Sequence, residues 1–238
     1  MQDTGSAMSF ISNNLKNVKE RIAEAALGSG RRPEDVQLVA VTKNVARESI
    51  VEAIEAGVTI VGENYVQEAK RKIEELGHGV RWDFMGHLQS NKARYAVGLF
   101  EMIHSVDRLS LAQELNRIAE KKGAKVRILI QVNISGEETK SGINPEGIVP
   151  LVTEITSMKN LSLEGFMTMP PYFDDPENAR PYFVALRELR DTLCEAHRGG
   201  ISLKELSMGM SGDFEVAIEE GATLVRIGTA IFGERPAT

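Results

Sequence analysis

Two rhythms of apolar and polar positions alternate along the 238-residue chain. Short runs of β-branched and apolar residues have the look of strands, and each is followed by a stretch whose apolar positions recur at helical spacing. The first helical stretch, 9–27, carries Phe10, Ile11, Leu15, Val18, Ile22 and Ala26 on one face and ends at Gly28-Ser29-Gly30 and Pro33. Strands are then predicted at 37–42, 58–61, 82–85, 102–106, 126–134, 161–167, 206–208 and 224–227, the seventh being the shortest. Helices are predicted between them at 46–56, 64–76, 90–97, 109–122, 145–158, 176–197 and 213–220.

Strict strand–helix alternation predicts a parallel sheet. Near-continuous apolar strands such as Ile128-Leu129-Ile130 suit a sheet covered on both faces. Eight such units suit a closed (β/α)8 barrel, which takes roughly 250 residues and would use the whole chain, 1–238, as a single domain with an extra N-terminal helix. An open doubly wound sheet is the competitor. No Gly-rich dinucleotide fingerprint follows the first strand, which favours the barrel.

Charge and composition narrow the function classes. The net charge is -6 with both signs interspersed, and no Lys/Arg stripe offers a footprint for nucleic acid. Cys194 is the sole cysteine, so no intrachain disulfide can form; it is expected as a half-buried apolar residue of a helix. Met1 to Phe10 lacks the features of a signal peptide, and no apolar run approaches the roughly 20 residues that cross a bilayer. A soluble, cytoplasmic monomer is the expectation. His78, His87, His104 and His197 show no metal-ligand spacing, and no nucleophilic triad is recognisable.

In this fold, chemistry sits on the loops at the C-terminal ends of the strands. Lys43 closes the run Val39-Ala40-Val41-Thr42-Lys43, and period-two alternation puts Val39, Val41 and Lys43 on one face. If that face lines the barrel, burial disfavours the charged ammonium and frees the amine to attack an aldehyde. The alternative is a solvent-facing lysine at a strand end. Ser211-Gly212 and Gly228-Thr229 follow strands seven and eight, where small residues and hydroxyls suit a phosphate. An ordinary helix N-cap at Ser211 and a turn glycine at Gly228 are the alternatives. Arg226 interrupts an apolar strand on the face of Leu224 and Gly228, so it needs an anion or an acceptor. A structural ion pair with Glu63 or Asp213 would also satisfy it.

Several stretches carry a family resemblance: Ala40-Val41-Thr42-Lys43, the run from Gly62-Glu63-Asn64 to Glu68, the run from His87-Leu88-Gln89 to Lys92, Lys140-Ser141-Gly142, the run from Ser207-Met208-Gly209-Met210-Ser211 to Asp213, and Val225 to Thr229. The chain resembles the pyridoxal phosphate homeostasis proteins, relatives of the alanine racemase barrel domain. The resemblance implies pyridoxal 5'-phosphate as cofactor, held as an internal aldimine by Lys43. It implies a phosphate site at Ser211, Gly212, Gly228 and Thr229, with Asn64 and Met208 packed around the ring. Arg226 would face the pyridine nitrogen and, being unable to give up its proton, keep that nitrogen unprotonated and the ring a weak electron sink. Lys140, on the loop after strand five, either approaches the site or is a surface charge.

The family's members are regarded as binders that keep the cofactor in supply, with apo-enzymes as acceptors, and without an established enzymatic activity. An amino-acid racemase or lyase using the same aldimine is the first alternative. Against it, the barrel leaves only 232–238 after strand eight, with no room for the second domain of a two-base racemase. A Schiff-base aldolase acting on a sugar phosphate is the second.

Overall fold

The computed structural model describes residues 9–137, 139–196 and 201–234. The eight strands are β1 (Gln37–Val41), β2 (Ile60–Glu63), β3 (Arg81–Phe84), β4 (Met102–Val106), β5 (Val126–Gln131), β6 (Leu161–Met167), β7 (Glu205–Ser207) and β8 (Leu224–Ile227). They pair in parallel in chain order, and β1 pairs with β8 through Leu38↔Val225 and Val39↔Arg226. That pairing closes the barrel and leaves no edge, so the open-sheet alternative is not what forms. Around it run α1 (Phe10–Gly28), α2 (Arg47–Glu55), α3 (Val66–Leu76), α4 (Ala93–Ala96), α5 (Leu109–Lys122), α6 (Ile148–Thr156), α7 (Arg180–Ala196), α8 (Phe214–Glu219) and α9 (Thr229–Phe232).

Period-two alternation splits each strand between two cores. Val39, Ile60, Met85, Met102, Leu129, Met167 and Leu224 form a small separate cluster, contributed strand by strand, that fills the barrel interior. Val41 packs against it, as its spacing from Val39 predicts. The alternate residues, among them Ala40, Val61, Trp82, Phe84, Ile103, Ile128, Phe166 and Val225, join the helices in the larger outer cluster. Cys194 packs, half-buried, at the edge of that cluster.

Helix α1 braces the end of the barrel that matters below. Its buried face (Ile11, Leu15, Val18, Ile22, Ala25 and Ala26) packs on α8 and α9. Asn14 Nδ2 donates to the Ile231 carbonyl at 3.0 Å, and Arg21 Nη2 pairs with Glu215 at 2.5 Å. Ser9 caps the helix, its hydroxyl accepting from Ser12 N–H at 3.2 Å, a contact worth about 1 kcal/mol.

Some boundaries move. Strand β2 lies two residues beyond its expected start and ends on Gly62-Glu63, because registry with β1 (Val41↔Gly62) and β3 (Glu63↔Phe84) extends it past the apolar run. The helix expected at 90–97 is a 3-10 turn, Ser90–Lys92, leading into the single turn of α4. Strand β5 stops at Gln131, and β7 ends at Ser207 rather than Met208. Helix α9 was not expected. His197, the expected end of α7, lies outside the described residues, as do residues 1–8. No helix among the described residues is long and apolar enough to cross a membrane.

Candidate functional site

At the C-terminal ends of β1 and β8 the barrel opens into a cavity of about 280 Å³. Val41 and Lys43 line it from the end of β1; Ser211, Gly212 and Asp213 from the loop after β7; Arg226, Gly228 and Thr229 from β8 and the start of α9. Tyr172, Phe173 and Pro176, on the long loop after β6, add a further wall. The structure thus gathers Lys43, Ser211, Gly212, Arg226, Gly228 and Thr229 around one space. Lys43 is half-buried where it lines the cavity.

Ser211 ties two loops together. Its hydroxyl accepts from Gly228 N–H and from Ala230 N–H, each at 3.3 Å. The N-cap of α8 is Asp213, and Ser211 is free of that duty. The Asp213 carboxylate accepts from Met210 N–H at 2.6 Å and so tightens the turn between β7 and α8. Burial pushes the Asp213 carboxyl above its ordinary value, opposed by the Met210 N–H and by the charge of Arg226.

Arg226 is 4% exposed and makes no ion pair among the described residues. Glu63 is held elsewhere, by Lys72. Nη1 of Arg226 donates to Ser207 Oγ at 2.8 Å, and Nη2 to the Thr168 carbonyl at 2.8 Å. Of the five guanidinium N–H groups, the rest find no protein acceptor among the described residues. Burial lowers its pKa to about 10, an effect that Asp213 opposes, so it stays charged at neutral pH.

Behind Arg226 a polar chain crosses the barrel interior. Ser207 Oγ lies 3.0 Å from His104 Nδ1, and His104 Nε2 lies 3.1 Å from Asp83 Oδ2. Arg81 grips both oxygens of Asp83 at 2.8 Å. The direction of every proton follows from chemistry. Arginine only donates, so Ser207 accepts from Arg226; the Asp83 carboxylate only accepts, so Nδ1 of the neutral imidazole is left to accept the Ser207 hydroxyl proton. Nε2 then carries the imidazole proton and donates it to Asp83. Burial pushes His104 below its ordinary value, against the opposing pull of Asp83. Burial would raise Asp83, but hydrogen bonds from His104 and Arg81 outweigh it and hold the carboxyl low. His104 is therefore hydrogen-bonded and neutral between two fixed charges.

The remaining expected residues lie apart from the cavity. Met208 is fully buried in the outer cluster, because Ser207 faces inward and the next residue must face the helices. Asn64 lines a neighbouring groove with His87 and Gln89. Lys140 pairs with Glu137 at 3.4 Å and does not line the cavity. Sequence reasoning missed Tyr172 and Phe173, whose loop shows no periodicity, and the chain Ser207–His104–Asp83. The period-two rule could have placed Ser207, His104 and Asp83 inside, since each sits two residues from an interior or polar partner on its strand. Among the described residues no group of three His, Cys, Asp or Glu side chains could hold a metal ion.

Three kinds of comparison show what the chain and its fold are similar to. The family model "Alanine racemase, N-terminal domain" matches residues 11–236. A pyridoxal phosphate homeostasis protein of Aquifex aeolicus is 46% identical over 222 residues, covering 93% of this chain and 96% of that protein. PipY of Synechococcus elongatus, solved with PLP bound, superposes with a TM-score of 0.83 at 35% identity, covering 94% of this chain and all of that one. Alanine racemase of Clostridium difficile, at 19% identity and a TM-score of 0.73, shares the fold over 57% of its own length. The chain belongs to the alanine racemase N-terminal domain family and, within it, to the pyridoxal phosphate homeostasis proteins.

Proposed function

We propose that this chain binds pyridoxal 5'-phosphate in the cavity at the C-terminal ends of β1 and β8, with Lys43 bonded to its aldehyde carbon as a Schiff base. One observation carries the reading: a lysine, a buried arginine with spare donors, and a hydroxyl that gathers two backbone N–H groups all face one space. The donor set fits the ligand. Ser211, Gly212, Gly228 and Thr229 offer hydroxyl and N–H donors suited to phosphate oxygens. The unused N–H groups of Arg226 suit an acceptor, which a pyridine nitrogen is only when unprotonated. Asn64 and Met208, which lie apart from the cavity, carry no part of this reading. The solved relative with PLP bound supports the same reading.

When bound, the cofactor supplies an electrophilic aldehyde and an electron-withdrawing ring. The residues of this chain hold it and limit its chemistry. Arg226, kept charged, does not give a proton to the ring, so carbanion chemistry is less favoured than beside a carboxylate. That limit favours a role in intracellular supply of the cofactor, as a cytoplasmic monomer handing it to apo-enzymes, over rapid turnover of amino acids. A racemase or lyase is the second reading. It is favoured by Tyr172, whose phenol shares the cavity wall with Lys43 and supplies a second group that could move a proton. At 83% exposure that phenol is poorly shielded from water, which weakens the case.

Absorption spectra of the wild type and of Lys43→Ala, with and without pyridoxal 5'-phosphate, test the proposal. The wild type should show a yellow Schiff-base band, and borohydride should fix the label on Lys43. A wild type that forms no such band would end the reading. Deuterium exchange at the α-carbon of amino acids, abolished in Lys43→Ala, would move the assignment to the second reading.

A further inference from the structure

The turn that carries Lys43 is clamped on both sides by one hydrogen-bonded cluster centred on the buried Lys72. On its N-terminal side, the Thr42 hydroxyl donates to Glu63 Oε1 at 2.6 Å and the Thr42 carbonyl accepts from Lys72 Nζ at 2.5 Å. On its C-terminal side, Asn44 N–H donates to Glu68 Oε1 at 2.7 Å. Lys72 Nζ joins the two halves, 2.7 Å from Glu63 Oε1 and 2.7 Å from Glu68 Oε1. All three ammonium donors of Lys72 are thereby committed. The cluster draws on the end of β2 and the first turns of α3, so two elements act on the third.

Energetics speak against a purely scaffolding role. Lys72 is 8% exposed at its side chain and Glu63 is 0% exposed, so both charges have left water. Burial raises Glu63 against the pull of Lys72 and Thr42, and its Oε2 has no hydrogen-bond partner among the described residues. Such an arrangement carries a large desolvation cost, and apolar side chains of similar volume would often stabilise the fold at least as well. Asn44 adds to the cost: at φ 57° it holds a left-handed conformation, and among the described residues no other non-glycine residue has positive φ. Strain and buried charge meet on either side of the same residue. Both are what a fixed side-chain origin requires, since an unheld turn would let the Lys43 backbone pivot.

We propose that Lys72, together with Glu63 and Glu68, is the positioning element of Lys43, setting where its amine meets an aldehyde. The proposal rests on the reading of Lys43 as the aldehyde-binding residue. In that step the amine nitrogen adds to the aldehyde carbon, a C=N bond forms and water leaves, with no oxidation or reduction. Holding the nucleophile's backbone fixed removes freedom that the step would otherwise have to freeze, and small misplacements are costly.

The experiment compares full-length Lys72→Met, Glu68→Ala and Glu68→Gln with wild type by two readouts. One is the rate of Schiff-base formation with pyridoxal 5'-phosphate, followed by absorbance. The other is the dissociation constant of pyridoxine 5'-phosphate, which bears an alcohol in place of the aldehyde and cannot form the bond. Lys72→Met and Glu68→Ala should slow bond formation about 10-fold or more while binding of the alcohol analogue is unchanged. Glu68→Gln, whose amide oxygen still accepts from Asn44 N–H, should recover part of that loss. Equal weakening of both ligands would show a general scaffold and overturn the proposal, as would unchanged bond formation in Glu68→Ala. If Lys72→Met does not fold, the Glu68 pair decides alone. A wild type that binds both phosphates without a borohydride-trapped bond at Lys43 would remove the functional reading and this proposal together, an outcome distinct from failure of the variants.

Discussion

Arg226 and His104, on strands β8 and β4, are joined through a single hydroxyl: Ser207 Oγ lies 2.8 Å from Arg226 Nη1 and 3.0 Å from His104 Nδ1. The Asp83 carboxylate takes the Nε2 proton, so the neutral imidazole presents Nδ1 as an acceptor, and the serine, while accepting from the guanidinium, gives its proton to His104. A second proton on His104 would put another buried positive charge near those of Arg226 and Arg81. The cavity-facing arginine is thus oriented by a histidine it never touches.

The first prediction concerns acid. His104 is held below its ordinary value of 6.5 by burial, so below that pH the unfolded chain takes up a proton that the folded chain does not. Stability from this group is present above pH 6.5 and is lost as pH falls toward the folded value. Urea melts across that range should show a stability loss in wild type that is smaller in His104→Gln. Parallel pH profiles would count against the buried neutral imidazole.

Replacing the guanidinium is the second. In Arg226→Lys a single ammonium cannot span both Ser207 Oγ and the Thr168 carbonyl in the fork geometry observed. One buried acceptor then lacks its partner, at about 1–3 kcal/mol. Denaturant melts of the unliganded variant should register that loss, and its Schiff-base spectrum should differ from wild type. A fully stable variant with an unchanged spectrum would contradict the role given to Arg226.

The phosphate end gives the third. Ser211→Ala removes the acceptor shared by Gly228 N–H and Ala230 N–H, so the two loops lose their tie. Affinity for pyridoxal 5'-phosphate and for pyridoxine 5'-phosphate should fall together, by about 10-fold, the scale of one hydrogen bond to a charged group. The melting temperature should shift little, because the side chain is only half-buried. Titration by fluorescence checks both ligands.

A close backbone approach at Gly86 supplies the fourth. A Cβ on Gly86 would lie 2.0 Å from the Asn64 carbonyl oxygen, a backbone atom that cannot rotate away. Gly86→Ala should therefore cost about 1–3 kcal/mol and displace the Asn64 loop. Gly79→Ala is the control, since a Cβ there would meet nothing within 4 Å, and it should stay within about 0.5 kcal/mol of wild type. Equal effects at the two positions would refute the packing argument.

Much of the barrel is legible in the chain. Strands β4, β6 and β8 occupy the residues that their apolar runs predict, and Val39, Val41 and Leu224 face inward as period two requires. Strand β2 is where reading fails: Gly62-Glu63 looks like the start of a loop, because a carboxylate after an apolar run ordinarily faces water. Its burial becomes tolerable only when Lys72, from a helix, reaches it.

What the sequence by itself determined is the order of eight strand–helix units and the alternation of faces, and hence the placing of Lys43, Arg226 and the small residues after β7 and β8 at one end of a barrel. Those follow from local geometry, since periodicity is a property of neighbours along the chain. The tertiary structure alone decided which charges meet. It gave Arg226 to Ser207 and Thr168 rather than to Glu63 or Asp213, turned Met208 outward, brought Tyr172 to the cavity wall and locked Lys72 over the turn of Lys43. Electrostatic and hydrogen-bond energies depend on distance and burial, and between residues far apart in the chain neither exists until the barrel has closed.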